Sequence, residues 1–124
     1  MSFKHLNELV KDDGYMGSTT TTTCSVSDIK FLDVISYQIT VTGSASGTFT
    51  IEVSNNYDSV KGTGTFVPTS TTLACTSGDF PGSATTGGIL AITNWSLPYA
   101  FARLSYTNTS GSGTFDAVFN GKGI

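Results

Sequence analysis

The chain has 124 residues, with 6 Lys+Arg against 9 Asp+Glu and a net charge of −3. That is one domain's length, and the 12% of charged residues is about half the usual share, so solubility must rest on hydroxyls and exposed backbone. So few cations exclude a phosphate-dominated nucleic-acid interface, and no apolar run approaches the roughly 18 residues of a membrane-spanning helix.

The start, Met1-Ser2-Phe3-Lys4-His5, has no apolar leader core, so the chain is expected in a reducing compartment, with Cys24 and Cys75 as buried thiols or, less readily there, one disulfide. In residues 1–16, Phe3, Leu6, Leu9 and Val10 recur at helical spacing. A short amphipathic helix or an extended arm fits this segment, with those four side chains either packing on the chain's own domain or docking on a partner. Gly14 and Gly17 then form a joint. The Ser18–Thr23 tract reads as an edge strand or a linker, which places an arm and linker over 1–23 and the main domain over 24–124.

From there the apolar period changes to two. Tyr37, Ile39 and Val41 alternate with polar neighbours, as do Phe49, Ile51 and Val53. With Gly43-Ser44-Ala45-Ser46-Gly47 between them, the two runs predict a hairpin. Asn55, Asn56, Asp58 and Lys61-Gly62-Thr63-Gly64 supply turn chemistry. Weak strands follow at 65–67 and 71–75, separated by Pro68, which marks an edge position or a bulge. Residues 78–88 predict a long loop, Ile89–Ile92 an apolar strand, and 99–107 a strand with Ala100, Ala102, Leu104 and Tyr106 on one face. After a turn at 108–113, Phe115, Ala117 and Phe119 face the core. Seven or eight short strands at this spacing predict an all-β antiparallel sandwich of jelly-roll or immunoglobulin-like kind.

No constellation of catalytic residues emerges. His5 stands apart from any nucleophile, and Glu52 and Asp116 alternate with the apolar set, which points them to solvent rather than across a cleft. Asn55, Asn56 and Asp58 offer three oxygen ligands to a calcium ion, but turn formation accounts for them at lower cost. Two cysteines and one distant histidine do not make a zinc site, and no cofactor is expected. Asn94-Trp95-Ser96 and Asn108-Thr109-Ser110 match the glycosylation sequon. Arg103, alone in a charge-poor strand, suggests an ion pair with Glu52 or Asp116, or a subunit contact.

Four stretches, Ser36–Gly43, Gly47–Asn55, Tyr99–Thr107 and Ser110–Gly123, resemble a group of small β-sandwich virion proteins of tailed bacteriophages. The likeness runs over about 26–123 and is most specific in the arginine strand ending Tyr106-Thr107 and in Asn120-Gly121-Lys122-Gly123. It departs at Ser54-Asn55-Asn56-Tyr57-Asp58, where the group has Ser-Asn-Asp-Gly followed by a tryptophan. The resemblance implies a non-enzymatic head decoration or minor capsid protein. Such a protein would be assembled in the host cytoplasm, displayed on the particle surface and bound to the major capsid protein or other virion proteins. Self-association, with a trimer as one form, goes with that setting, and neither nucleic acid nor membrane is an expected partner. The alternative is a carbohydrate-binding or adhesin-like module that presents Tyr57, Trp95 or Tyr99 to a host-surface glycan.

Overall fold

The computed structural model describes residues 4–18, 21–78, 80, 87–92 and 99–123, except for the side chains of Lys4 and His5. Phe3 and Trp95 therefore lie outside the described residues, as does the first sequon. The described residues hold nine strands and no helix: β1 (Lys4–Met16), β2 (Thr21–Thr23), β3 (Ser27–Asp28), β4 (Val34–Gly43), β5 (Ser46–Ser54), β6 (Val67–Cys75), β7 (Gly87–Ile92), β8 (Phe101–Ser110) and β9 (Gly113–Gly123). Two antiparallel sheets result, ordered β1-β9-β4-β7 and β2-β8-β5-β6, with β3 in line with β2 along β8.

Period-two patterning fixes which face each sheet buries. Ile35, Tyr37, Ile39 and Val41 of β4 and Phe115, Ala117 and Phe119 of β9 meet Phe49, Ile51 and Val53 of β5 and Ala102, Leu104 and Tyr106 of β8 in one core. Phe49 is its hub: its ring lies 4.5 Å from Tyr106 in its own sheet and 5.1 Å, edge-on, from Phe115 in the opposite one. Such aromatic pairs add to the stabilisation from burial. When β2 and β3 are taken as one interrupted strand, β5 to β6 is the one connection between the described strands that stays within a sheet. Two four-stranded sheets wound in that way are a jelly roll, whereas an immunoglobulin sandwich keeps several consecutive strands side by side.

Two expectations are corrected here. The predicted hairpin of β4 and β5 does not form: β4 lies between β9 and β7, and β5 between β8 and β6. Both runs are central strands with long-range partners, and the link between them crosses from one layer to the other, with Ala45 buried in the crossing.

The helical reading of residues 1–16 also gives way, because Lys4–Met16 is a strand that pairs antiparallel with β9 along its whole length. The segment expected as an arm is thus a sheet edge, with Val10 3% and Met16 1% exposed. The spacing misleads because two register shifts, between Leu9 and Lys11 and between Lys11 and Gly14, break the strict alternation by which a strand is recognised. Other features follow the sequence: Thr21–Thr23 is an edge strand, and Pro68 sits in the edge strand β6 beside a register shift.

A strand and a helix distribute the apolar residues of β1 differently, which gives a test. Leu6 and Val10 face the core, and Leu9 is 60% exposed. Val10→Ala is expected to cost about 2 kcal/mol in urea unfolding and Leu9→Ala less than about 0.5 kcal/mol. Equal losses at both positions would favour the helix.

Candidate functional site

Among the sequence-derived candidates, Arg103 and Glu52 come together. They stand opposite each other on β8 and β5, and Arg103 Nε donates to Glu52 Oε1 at 2.8 Å. The guanidinium also lies 4.2 Å from the centre of the Phe66 ring. Asp116 takes no part, because it is on β9 in the other sheet.

The Arg103–Phe66 contact ends a ladder across the outer face of the β2-β8-β5-β6 sheet. Tyr57 lies edge-on to both Phe66 (5.6 Å) and Phe101 (5.2 Å), and Lys30 Nζ is 4.4 Å from the centre of Phe101. This cation–aromatic series holds the 55–66 loop against the sheet. Within the loop, Asp58 Oδ1 accepts from the backbone N–H of Val60 and Lys61 at 2.9 and 3.1 Å. Asn56 Oδ1 accepts from Ser54 Oγ at 3.0 Å and Thr65 N at 2.8 Å, and Asn55 Oδ1 from Ala100 N at 2.9 Å. The three side chains weighed as calcium ligands thus act as loop fasteners.

Beside this loop, at the sandwich end where β5 stops and β6 and β8 begin, runs an open groove of about 630 Å³. Asn55, Asn56, Thr65, Val67, Pro68 and Tyr99 are among its walls. Of the three aromatics considered for a sugar, Tyr99 lines this groove and Tyr57 is half-buried in the ladder.

The opposite outer face, on the β1-β9-β4-β7 sheet, carries Asp116 with Asp12 and Asp13 beside it, and an uncharged row next to them. Register aligns Leu9, Val118, Gln38 and Ile89 in one row across its four strands, with Leu9 60% and Ile89 67% exposed. Of the four expected docking residues, Leu9 joins this row, whereas Leu6 and Val10 turn inward.

Sequence reasoning missed one acidic cluster. Asp12, Asp13 and Asp116 bring carboxylate oxygens within 4.8 Å of one another, the one grouping of potential metal ligands among the described residues. Asp13 has φ 50° and its N–H donates to Asp116 Oδ1 at 2.8 Å. Repulsion from Asp13, and next from Asp116, holds the Asp12 carboxyl above its ordinary value. Only the bulged pairing of β1 with β9 brings Asp116 to the adjacent pair, so sequence spacing offers no signal beyond Asp12-Asp13.

Other polar groups serve the fold. Asn108, the second sequon's asparagine, is 2% exposed. It accepts from Tyr106 Oη at 2.8 Å and donates through Nδ2 to the carbonyls of Ser18 (2.7 Å) and Gly111 (3.2 Å), so it is closed to a glycan. Both cysteines are buried and no disulfide joins them, and burial pushes the Cys24 thiol up to about 12.

No protein-family model matches the chain, and no curated protein sequence is similar to it. Among solved structures it is similar to the SPBc2 prophage-derived protein YomS, with a TM-score of 0.50 and 8% identity over 97% of this chain and 96% of that one. It is also similar to the structure of the infectious bursal disease virus Gt strain, with a TM-score of 0.61 and 14% identity over 98% of this chain and 32% of that one. The VP2 subviral particle of the same virus gives a TM-score of 0.56 at 14% identity, again over 98% and 32%. The chain therefore spans about a third of the length of the bursal disease virus chains, and at these identities the likeness is one of fold.

Two consequences can be measured. An acid whose folded pKa is raised contributes stability below its ordinary value, here 3.8, and loses that contribution as pH rises through the raised one. Asp12→Asn should therefore raise the melting temperature at pH 7, with the gain shrinking in added salt and vanishing at strongly acid pH; a gain independent of pH would show that Asp13 and Asp116 are not its cause. For the thiols, the thiolate is the reactive form, so iodoacetamide at pH 8 should label neither cysteine in the native protein and both in urea. Rapid labelling of Cys24 in the native protein would contradict its burial.

Proposed function

We propose that the chain is a non-enzymatic structural component of a virus particle, a decoration or minor head protein of a tailed bacteriophage that attaches to capsid proteins and to copies of itself. The observation that carries this reading is the uncharged row across the outer face of the β1-β9-β4-β7 sheet, in which Leu9 and Ile89 are exposed. A neighbouring subunit can cover the Leu9–Val118–Gln38–Ile89 row without desolvating a charge within it, provided the Asp12–Asp13–Asp116 cluster stays at the rim of the contact.

Other features support it. The fold is similar to a prophage-derived protein along nearly all of both chains and to a segment of the chain in a VP2 subviral particle. Low charge reduces repulsion between closely packed copies. The cation that stood out in the sequence is engaged within the chain, Arg103 with Glu52 and Phe66, and so serves rigidity rather than chemistry. A particle-surface location with assembly in the host cytoplasm completes the proposal. Attachment is thereby moved from a separable arm to the face of the sheet in which β1 is the edge strand.

Mass spectrometry of particles purified from a host that carries the gene should find the chain in many copies per particle. A Leu9→Glu/Ile89→Glu variant, altered at two exposed positions and checked for folding by thermal melting, should be lost from those particles. A chain confined to the soluble fraction, or a variant retained with both new charges, would refute the proposal.

A further inference from the structure

We infer that the groove at the loop end of the sandwich is a binding site for a neutral saccharide. This inference stands apart from the virion role, since the groove lies beside the 55–66 loop on the other sheet from the proposed attachment face.

The first argument is preorganisation. At about 630 Å³ the groove falls within the size range of small-ligand sites. One wall is the 54–56 turn with Thr65, fixed by the Asn55–Ala100 and Asn56–Thr65 hydrogen bonds and by the packing of Tyr57 between Phe66 and Phe101. The other is the start of β6, where Thr69 Oγ1 donates to the Ile51 carbonyl at 2.7 Å and accepts from Thr71 N at 3.2 Å. A ligand would meet walls already in place, so little ordering cost opposes binding.

The second argument is chemical. The Oδ1 atoms of Asn55 and Asn56 are committed to internal donors. Each amide is thereby fixed, with its Nδ2 left as a donor without a partner among the described residues. The exposed Ser70 adds a hydroxyl, and Val67, Pro68 and Tyr99 add an apolar strip. Fixed amide donors beside an aromatic and aliphatic strip match a sugar ring, which carries hydroxyl acceptors on its rim and C–H groups on its faces.

The third argument is exclusion. Among the described residues no charged side chain lines the groove, so an acidic or sulfated sugar would find no cation to pair with. An extended peptide would bind best by adding a strand to the β6 edge. Along this stretch Pro68 lacks a donor, and the register jumps between Thr50 and Glu52, which interrupts the ladder that such a peptide needs.

The test applies the full-length protein to an array of neutral oligosaccharides built from glucose, mannose, galactose and N-acetylhexosamines, with sialylated and sulfated glycans and a random peptide library alongside. Hits are then titrated by calorimetry. At least one neutral oligosaccharide should bind, and both Tyr99→Ala and the groove-filling Ser70→Trp should weaken it by about tenfold or more. Tyr99 packs partly against the core, so Ser70→Trp, at an exposed position, keeps the test valid if Tyr99→Ala unfolds. A flat neutral array, binding confined to charged glycans or to peptides, or affinity unchanged in a folded Ser70→Trp protein would each overturn the inference. A flat array would leave the virion reading standing, because particle association is measured separately.

Discussion

The sandwich is held closed by one constraint, the close approach of two corners at which the chain changes sheets. Between β4 and β5 and between β8 and β9 the backbone crosses from layer to layer, and the two crossings touch. Ser44 N, in the first crossing, donates to the Ser112 carbonyl in the second at 2.9 Å. Gly43 sits at φ 101°, and a β-carbon there would come within 2.7 Å of Gly113 Cα. Only glycine meets both demands. Because four central strands leave this point, the corner sets their register and, through it, the single core around Phe49.

Closing the core leaves two outer faces that differ in kind. On the β2-β8-β5-β6 sheet, hydroxyls form rows, Thr21–Thr107–Thr48 and Thr23–Ser105–Thr50–Thr72, and the ladder from Lys30 to Arg103 fastens a loop over the end of the sheet. That end becomes rigid and concave, with fixed donors. The β1-β9-β4-β7 face lacks such a cover among the described residues. A concave end suits a small ligand and an exposed uncharged row suits a protein neighbour, so one layer architecture offers two separate surfaces.

Much of the fold was legible in the residues. The alternating sets of β4, β5, β8 and β9 became the buried faces, because a period of two is a local property that survives whatever the strand pairs with. Proline at an edge and asparagine or aspartate in turns were legible for the same reason. Partners were not: the 43–47 link looks the same whether it returns a strand alongside its predecessor or carries it to the opposite layer. In β1 a bulge erased the alternation, and Leu6, Leu9 and Val10 imitated a helix.

The candidate surfaces divide along the same line. Arg103 stood out in sequence because a cation in so neutral a strand needs a partner, and cross-strand register supplied Glu52. Asp116 was an equal candidate until topology placed it beside Asp12 and Asp13. By itself, then, the sequence determined an all-β chain poor in charge, the inward and outward faces of its main strands, and its turn residues, since each depends on neighbours a few positions away. Tertiary structure alone decided the jelly-roll winding, the use of Lys4–Met16 as an edge strand, the Leu9–Val118–Gln38–Ile89 row and the groove at Tyr99. Each of these joins residues tens of positions apart, and the contacts between them exist only once both sheets have closed.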